Sequence, residues 1–150
     1  MGQVISATAR RVQRQGGQGS KRQHFLTQAA LLLADARANA AQGRMDQALE
    51  KAYQAGLRTA GACVAASATV SRRRRLPTSA WDQLALVGKE EKEWADAFRA
   101  YSRTRSRLAS GIDRVVADKV VFDLMDLAAR FLEVAESTTH DFDGMDGQAA

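Results

Sequence analysis

A chain of 150 residues with 45% apolar residues, a single proline and 26% charged residues of both signs fits one helix-rich domain with its own core. Its one cysteine rules out an internal disulfide, no apolar run approaches the roughly 18 residues of a membrane span, and the N-terminus lacks the hydrophobic stretch of a secretory leader. The expectation is a cytoplasmic protein, and a net charge of +5 that is unevenly placed points to an anionic partner or to copies meeting head to tail.

Residues 1–23 are polar, basic and glycine-rich in QGGQGSKRQ, without helical periodicity, and read as a disordered arm. MGQVIS at its start matches the M-G-x-x-x-[ST] myristoylation pattern, which is short enough to arise by chance. From Phe25 an apolar stripe begins: Phe25, Ala29, Leu32, Leu33, Ala36 and Ala40 share one helical face, with Gln28, Asp35, Asn39 and Gln42 opposite. Gly43 is a fitting stop. A second helix starts near Asp46 and places Leu49, Ala52, Tyr53, Gly56, Ala60, Cys63 and Val64 on one face; after Arg58 no charge follows until Arg72, so that half should be surrounded.

The run SRRRRLP comes next, and Pro77 ends any continuing helix at or before Leu76. Ser79 with Asp82 forms an S-x-x-D capping pattern for a short third helix around Trp81 and Leu84. A fourth helix opens in KEEKEW, its acidic turn suited to the helix dipole, and buries Trp94, Ala97, Phe98, Tyr101 and Leu108. The last helix sets Lys119, Asp123, Asp126, Arg130, Glu133 and Ser137 against Val120, Leu124, Leu127, Ala128, Phe131 and Ala135. Residues 138–150 read as a disordered acidic tail. The fold expected is all-α, an antiparallel bundle of four long helices and one short one over residues 24–137.

Catalytic machinery is not evident. Cys63 sits in GACVAASA with no basic neighbour in sequence, as a buried structural thiol would. The tail HDFDGMDG departs from a calcium loop, since counting from Asp141 places Met145 and Asp146 at the fifth and sixth positions. The two histidines, His24 and His140, fall in the arm and the tail. No phosphate-binding glycine loop is present, so no catalytic residue, metal ligand or cofactor is expected. Trp81 and Trp94 lie at helical spacing with apolar neighbours and read as core.

Charge is unevenly placed. Residues 72–114 hold eleven basic against six acidic groups, and residues 115–150 hold two against eight. Within the basic segment Arg72, Arg73, Arg74 and Arg75 are consecutive, and Arg99, Arg103 and Arg107 recur every four residues along one side of the fourth helix, with Arg105 and Arg114 beside them. Guanidinium groups bind phosphate bidentately, so the two features suit RNA or a nucleotide. The other reading is a solvated face, pairing with Asp96 or the acidic tail, or an interface in a homodimer or with an acidic protein partner.

The segment AYQAGLRTAGACVAA, the run RRRRLP leading into SAWDQL, the helix EEKEWADAFRAYSRTR and the final DKVVFDLMDLAARFLEVAE together resemble HEPN-domain proteins over residues 25–137, most specifically an actinobacterial branch of them. The resemblance implies a helical bundle that often dimerises and associates with RNA or nucleotides. Many HEPN proteins are ribonucleases with an R-x4-6-H motif. Here nine residues separate Arg130 from His140, and His24 has no arginine at the required distance, so the nuclease residues do not carry over. The resulting expectation is a non-catalytic domain binding RNA or a nucleotide through Arg72–Arg75 with Arg99, Arg103 and Arg107.

Overall fold

The computed structural model describes residues 7–146, and the side chains of residues 19–138. It contains α1 (Ala7–Ala41), α2 (Met45–Ala66), the single turn α3 (Ala68–Ser71), α4 (Ala80–Ala85), α5 (Lys89–Ala109) and α6 (Asp118–Asp146). The all-helical bundle expected from the sequence is observed, with α3 as a second short helix. Both end helices are longer than the periodicity suggested: α1 runs upstream of Phe25 and α6 downstream of Ser137. The myristoylation pattern and the tail carboxylates of Asp141, Asp143 and Asp146 fall outside the described side chains.

Helix α1 stops because Gly43 takes φ +77°, a left-handed conformation that costs glycine little. The turn is then pinned by Asn39. Its backbone carbonyl accepts from the Arg44 amide at 2.9 Å, its side-chain oxygen accepts from Arg44 Nε at 2.8 Å, and its amide nitrogen donates to the Asp35 carbonyl at 2.8 Å. Asn39 is therefore buried, contrary to its expected place on the solvated face. Periodicity assigns a side chain to a face by polarity alone, whereas this asparagine is buried where its side chain bridges the Asp35 carbonyl and the Arg44 guanidinium at the helix end.

Helix α2 is the centre of the bundle, in contact with α1, α4, α5 and α6. Glu50 and Tyr53 near its start meet Arg105 and Ser102 near the end of α5, while Cys63 near its end shares a cavity with Val134 and Ala135 of α6. Successive long helices thus run antiparallel. Small residues let the neighbours in. A Cβ on Gly56 would lie 2.3 Å from Cε1 of Phe98, so the ring occupies space that any other residue would fill.

Four aromatic rings hold α4, α5 and α6 together. Trp81 stacks on Phe98 with centroids 4.8 Å apart, Phe98 meets Phe131 at 5.6 Å, and Phe131 stacks on Trp94 at 5.0 Å. Each such pair adds about 0.5–1.5 kcal/mol beyond the burial of its area. Both tryptophans are core residues, as their spacing suggested, although Trp94 keeps one part of its surface in a cavity. Helix α5 is buried less thoroughly than its stripe suggested: Ala95 and Phe98 are fully enclosed, and Trp94, Ala97, Tyr101 and Leu108 are half-buried.

Candidate nucleic-acid interface

Ser67 breaks the second helix. Its backbone is extended at φ −83°, ψ 118°, and its hydroxyl accepts from the Val70 amide at 3.2 Å, capping α3 in the same step. Val70 is buried and fixes that turn to the body. Arg72 closes α3 in a helical conformation, and the chain then leaves helix altogether, so Arg73, Arg74 and Arg75 lie in irregular chain rather than in an extension of α2. On the far side Gln83 Nε2 donates to the Pro77 carbonyl at 2.7 Å, and the Ser79 hydroxyl accepts from the Asp82 backbone amide, the capping pattern read in the sequence. The loop is short and anchored at both ends.

All four side chains from Arg72 to Arg75 are exposed, and among the described residues none makes a hydrogen bond or ion pair through its guanidinium. Four like charges on adjacent residues repel one another, and no carboxylate among the described residues pairs with them.

The ladder on α5 behaves differently. Arg99 pairs with Asp82 in the first turn of α4, which ties this end of the ladder to the element that follows the loop. Arg107 forms a two-point pair with Asp113 at 2.9 and 3.1 Å, and each holds the other charged: the arginine's pKa is raised and the aspartate's lowered by the shared hydrogen bonds. Arg103 and Arg114 are exposed and make no such contact among the described residues. Arg107 lies eight residues beyond Arg99, roughly 12 Å along the axis, at the end of α5 that leads into the α5–α6 connection. The carboxylate partners of the ladder are thus Asp82 and Asp113, while Asp96 pairs with Lys92.

Arg105 is half-buried and belongs to the packing between α2 and α5. It meets Glu50 through two hydrogen bonds of 2.8 Å, and its guanidinium carbon stands 4.6 Å from the centre of the Tyr53 ring. The hydrogen bond from Arg105 holds the Glu50 carboxyl below the usual carboxylate range, against the opposing effect of burial. Trp81 Nε1 donates to the Tyr53 hydroxyl at 2.7 Å, and that hydroxyl is 2.9 Å from Ser102 Oγ. This network links α2, α4 and α5 and commits Nε and Nη2 of Arg105 to Glu50.

His24 is exposed on α1. No group of three or more acidic, histidine or cysteine side chains among the described residues is placed to hold a metal, and no helix among them is long and apolar enough to cross a membrane. Cys63 is largely enclosed, and burial, with Glu91 nearby, pushes its thiol up to about 11. Sequence reading missed Arg22, assigned to the arm: its Nη2 donates to the Ala135 carbonyl at 3.0 Å, so α1 packs on α6 upstream of Phe25. A lone arginine in a glycine-rich stretch gives no periodic signal, and none was available to find it.

Comparison with known proteins agrees with this architecture. A family model described as SAV_6107-like HEPN matches residues 34–136, from the last part of α1 to within α6, and includes the arginine loop and the α5 ladder. Neither the curated proteins nor the solved structures contain a significant match. An all-helical bundle matched over more than half its length leads to one assignment: the chain belongs to the SAV_6107-like HEPN family.

Proposed function

We propose that this chain is a non-catalytic HEPN domain that binds RNA or a nucleotide through Arg72, Arg73, Arg74 and Arg75. The observation that carries the reading is the contrast in commitment: these four guanidiniums are exposed and unpaired on an anchored loop, whereas Arg99, Arg105 and Arg107 have carboxylate partners. Phosphate oxygens would supply the missing acceptors and relieve the repulsion. Arg103 adds an uncommitted charge, whereas Arg99 and Arg107 contribute to phosphate binding only by exchanging Asp82 and Asp113 for phosphate oxygens. The absence of an R-x4-6-H spacing supports binding without cleavage.

The test is purification from bacteria with the 260/280 nm absorbance ratio followed through a high-salt wash. Nucleic acid that leaves with salt and rebinds the washed wild type, but not a variant with all four loop arginines changed to alanine, supports the proposal. Equal rebinding by both proteins rejects it, and an RNase activity that purifies with the wild type overturns the non-catalytic part.

One observation favours a protein-interaction role as the second reading. Ile112 and Val115 in the α5–α6 connection are 64% and 85% exposed, and Phe122 on α6 is 51% exposed, so apolar surface lies open near the basic end of α5. Light scattering of the washed protein tests it: a dimer dispersed by Val115→Asp supports an interface there, and a strict monomer counts against self-association.

A further inference from the structure

A cavity of 210 Å³ opens where the end of α2, the start of α5 and the late part of α6 meet, opposite Arg22 of α1. Its apolar wall includes Trp94 and Phe131, already stacked on each other at 5.0 Å. Its polar lining includes Arg22, Glu90 and Glu91. The volume is below the roughly 300–1,000 Å³ of sites for drug-sized ligands, which restricts an occupant to a small molecule.

The charges around this cavity have no ion-pair partner among the described residues. Arg22 spends Nη2 on the Ala135 carbonyl, but its Nε is shielded from solvent with no acceptor. Glu90 and Glu91 make no ion pair with any described residue. Arg22 and Glu91 are both close enough to Cys63 to influence it, with opposite signs, yet they do not pair with each other. Opposite charges therefore flank one apolar cavity and remain apart.

A simple anion would answer Arg22 but face two carboxylates. A simple cation would answer the glutamates but meet the like charge of Arg22. A molecule carrying both charges on one carbon, with an apolar substituent, answers both signs and the apolar wall. We propose that this cavity binds a free amino acid with an apolar side chain, its carboxylate on Arg22, its ammonium on Glu90 and Glu91, and its side chain against Trp94 and Phe131. The proposal is independent of phosphate binding at the arginine loop, since none of these residues belongs to that loop.

Calorimetry with leucine, methionine and phenylalanine tests it, alongside N-acetyl-leucine, which lacks the ammonium, and leucinamide, which lacks the carboxylate. The expected result is binding of at least one amino acid with Kd at or below about 1 mM, and at least tenfold weaker binding of both blocked analogues. Glu91→Gln should weaken leucine while leaving N-acetyl-leucine unchanged. Arg22→Lys, which keeps the charge but removes the planar guanidinium fork, should weaken leucine at an unchanged melting temperature. If Arg22→Lys instead unfolds the protein, Val134→Trp at the cavity wall replaces it and should block binding in a folded chain. No heat from any of the three amino acids at about ten times that concentration, or equal binding of the blocked analogues, overturns the proposal.

Discussion

Arg105 and Arg74 are the same residue type in one basic segment, and the fold treats them in opposite ways. Arg105 has a two-point carboxylate and an aromatic face, so its charge is matched inside the architecture; Arg74 and its three neighbours have no partner in the described residues and sit on a loop that adds no core. Composition weighs both equally. The difference teaches that the burial and pairing of each guanidinium, more than net charge, separates residues that hold the bundle from residues available to a ligand.

The sharpest way to break the comparison lies on the interior side. Phe98, fully buried between Trp81 and Phe131, should cost about 3–5 kcal/mol as Phe98→Ala in urea unfolding; a loss below about 1 kcal/mol would contradict the aromatic core described. Gly56→Ala forces a methyl into the Phe98 ring and should cost about 1–3 kcal/mol, read in the same way. Arg105→Ala should cost about 1 kcal/mol at neutral pH, since the pair with Glu50 is partly solvated.

That last variant also has a pH signature. Glu50 has a folded pKa below its ordinary value of 4.5, so its contribution is present above that pH and disappears as pH falls through the lowered folded value. The stability gap between wild type and Arg105→Ala should therefore narrow on acidification. A gap that widens below pH 4.5 would assign the shift to some other partner.

Smaller again is the effect on Cys63. With its thiol pushed up to about 11, it should react with iodoacetamide at pH 7.5 more than about tenfold slower than a free cysteine peptide. Fast labelling would mean that the α2–α6 region opens readily.

Much of this was legible in the sequence. The apolar stripe of α6, the Gly43 stop and the Ser79 cap could be read because each rests on a local rule of period or of backbone freedom. What was not legible depends on distant partners. Nothing near Arg105 in sequence indicates Glu50, which is 55 residues away. Asn39 and Arg22 have roles set by a helix end and by the Ala135 carbonyl. The arginine run was visible at once as a candidate, but its commitment was not, because a helical extension of α2 and a free loop have the same residues; the break at Ser67 decides it.

The comparison is tested most directly by replacing Arg72–Arg75 with alanine and measuring thermal stability and single-stranded RNA binding by fluorescence anisotropy across a salt series. The account predicts a stability change within about 0.5 kcal/mol. It also predicts loss of most of the affinity and a salt dependence shallower by about 0.7 log units per phosphate contact removed. Unchanged RNA affinity, or a variant that loses its fold, would contradict it.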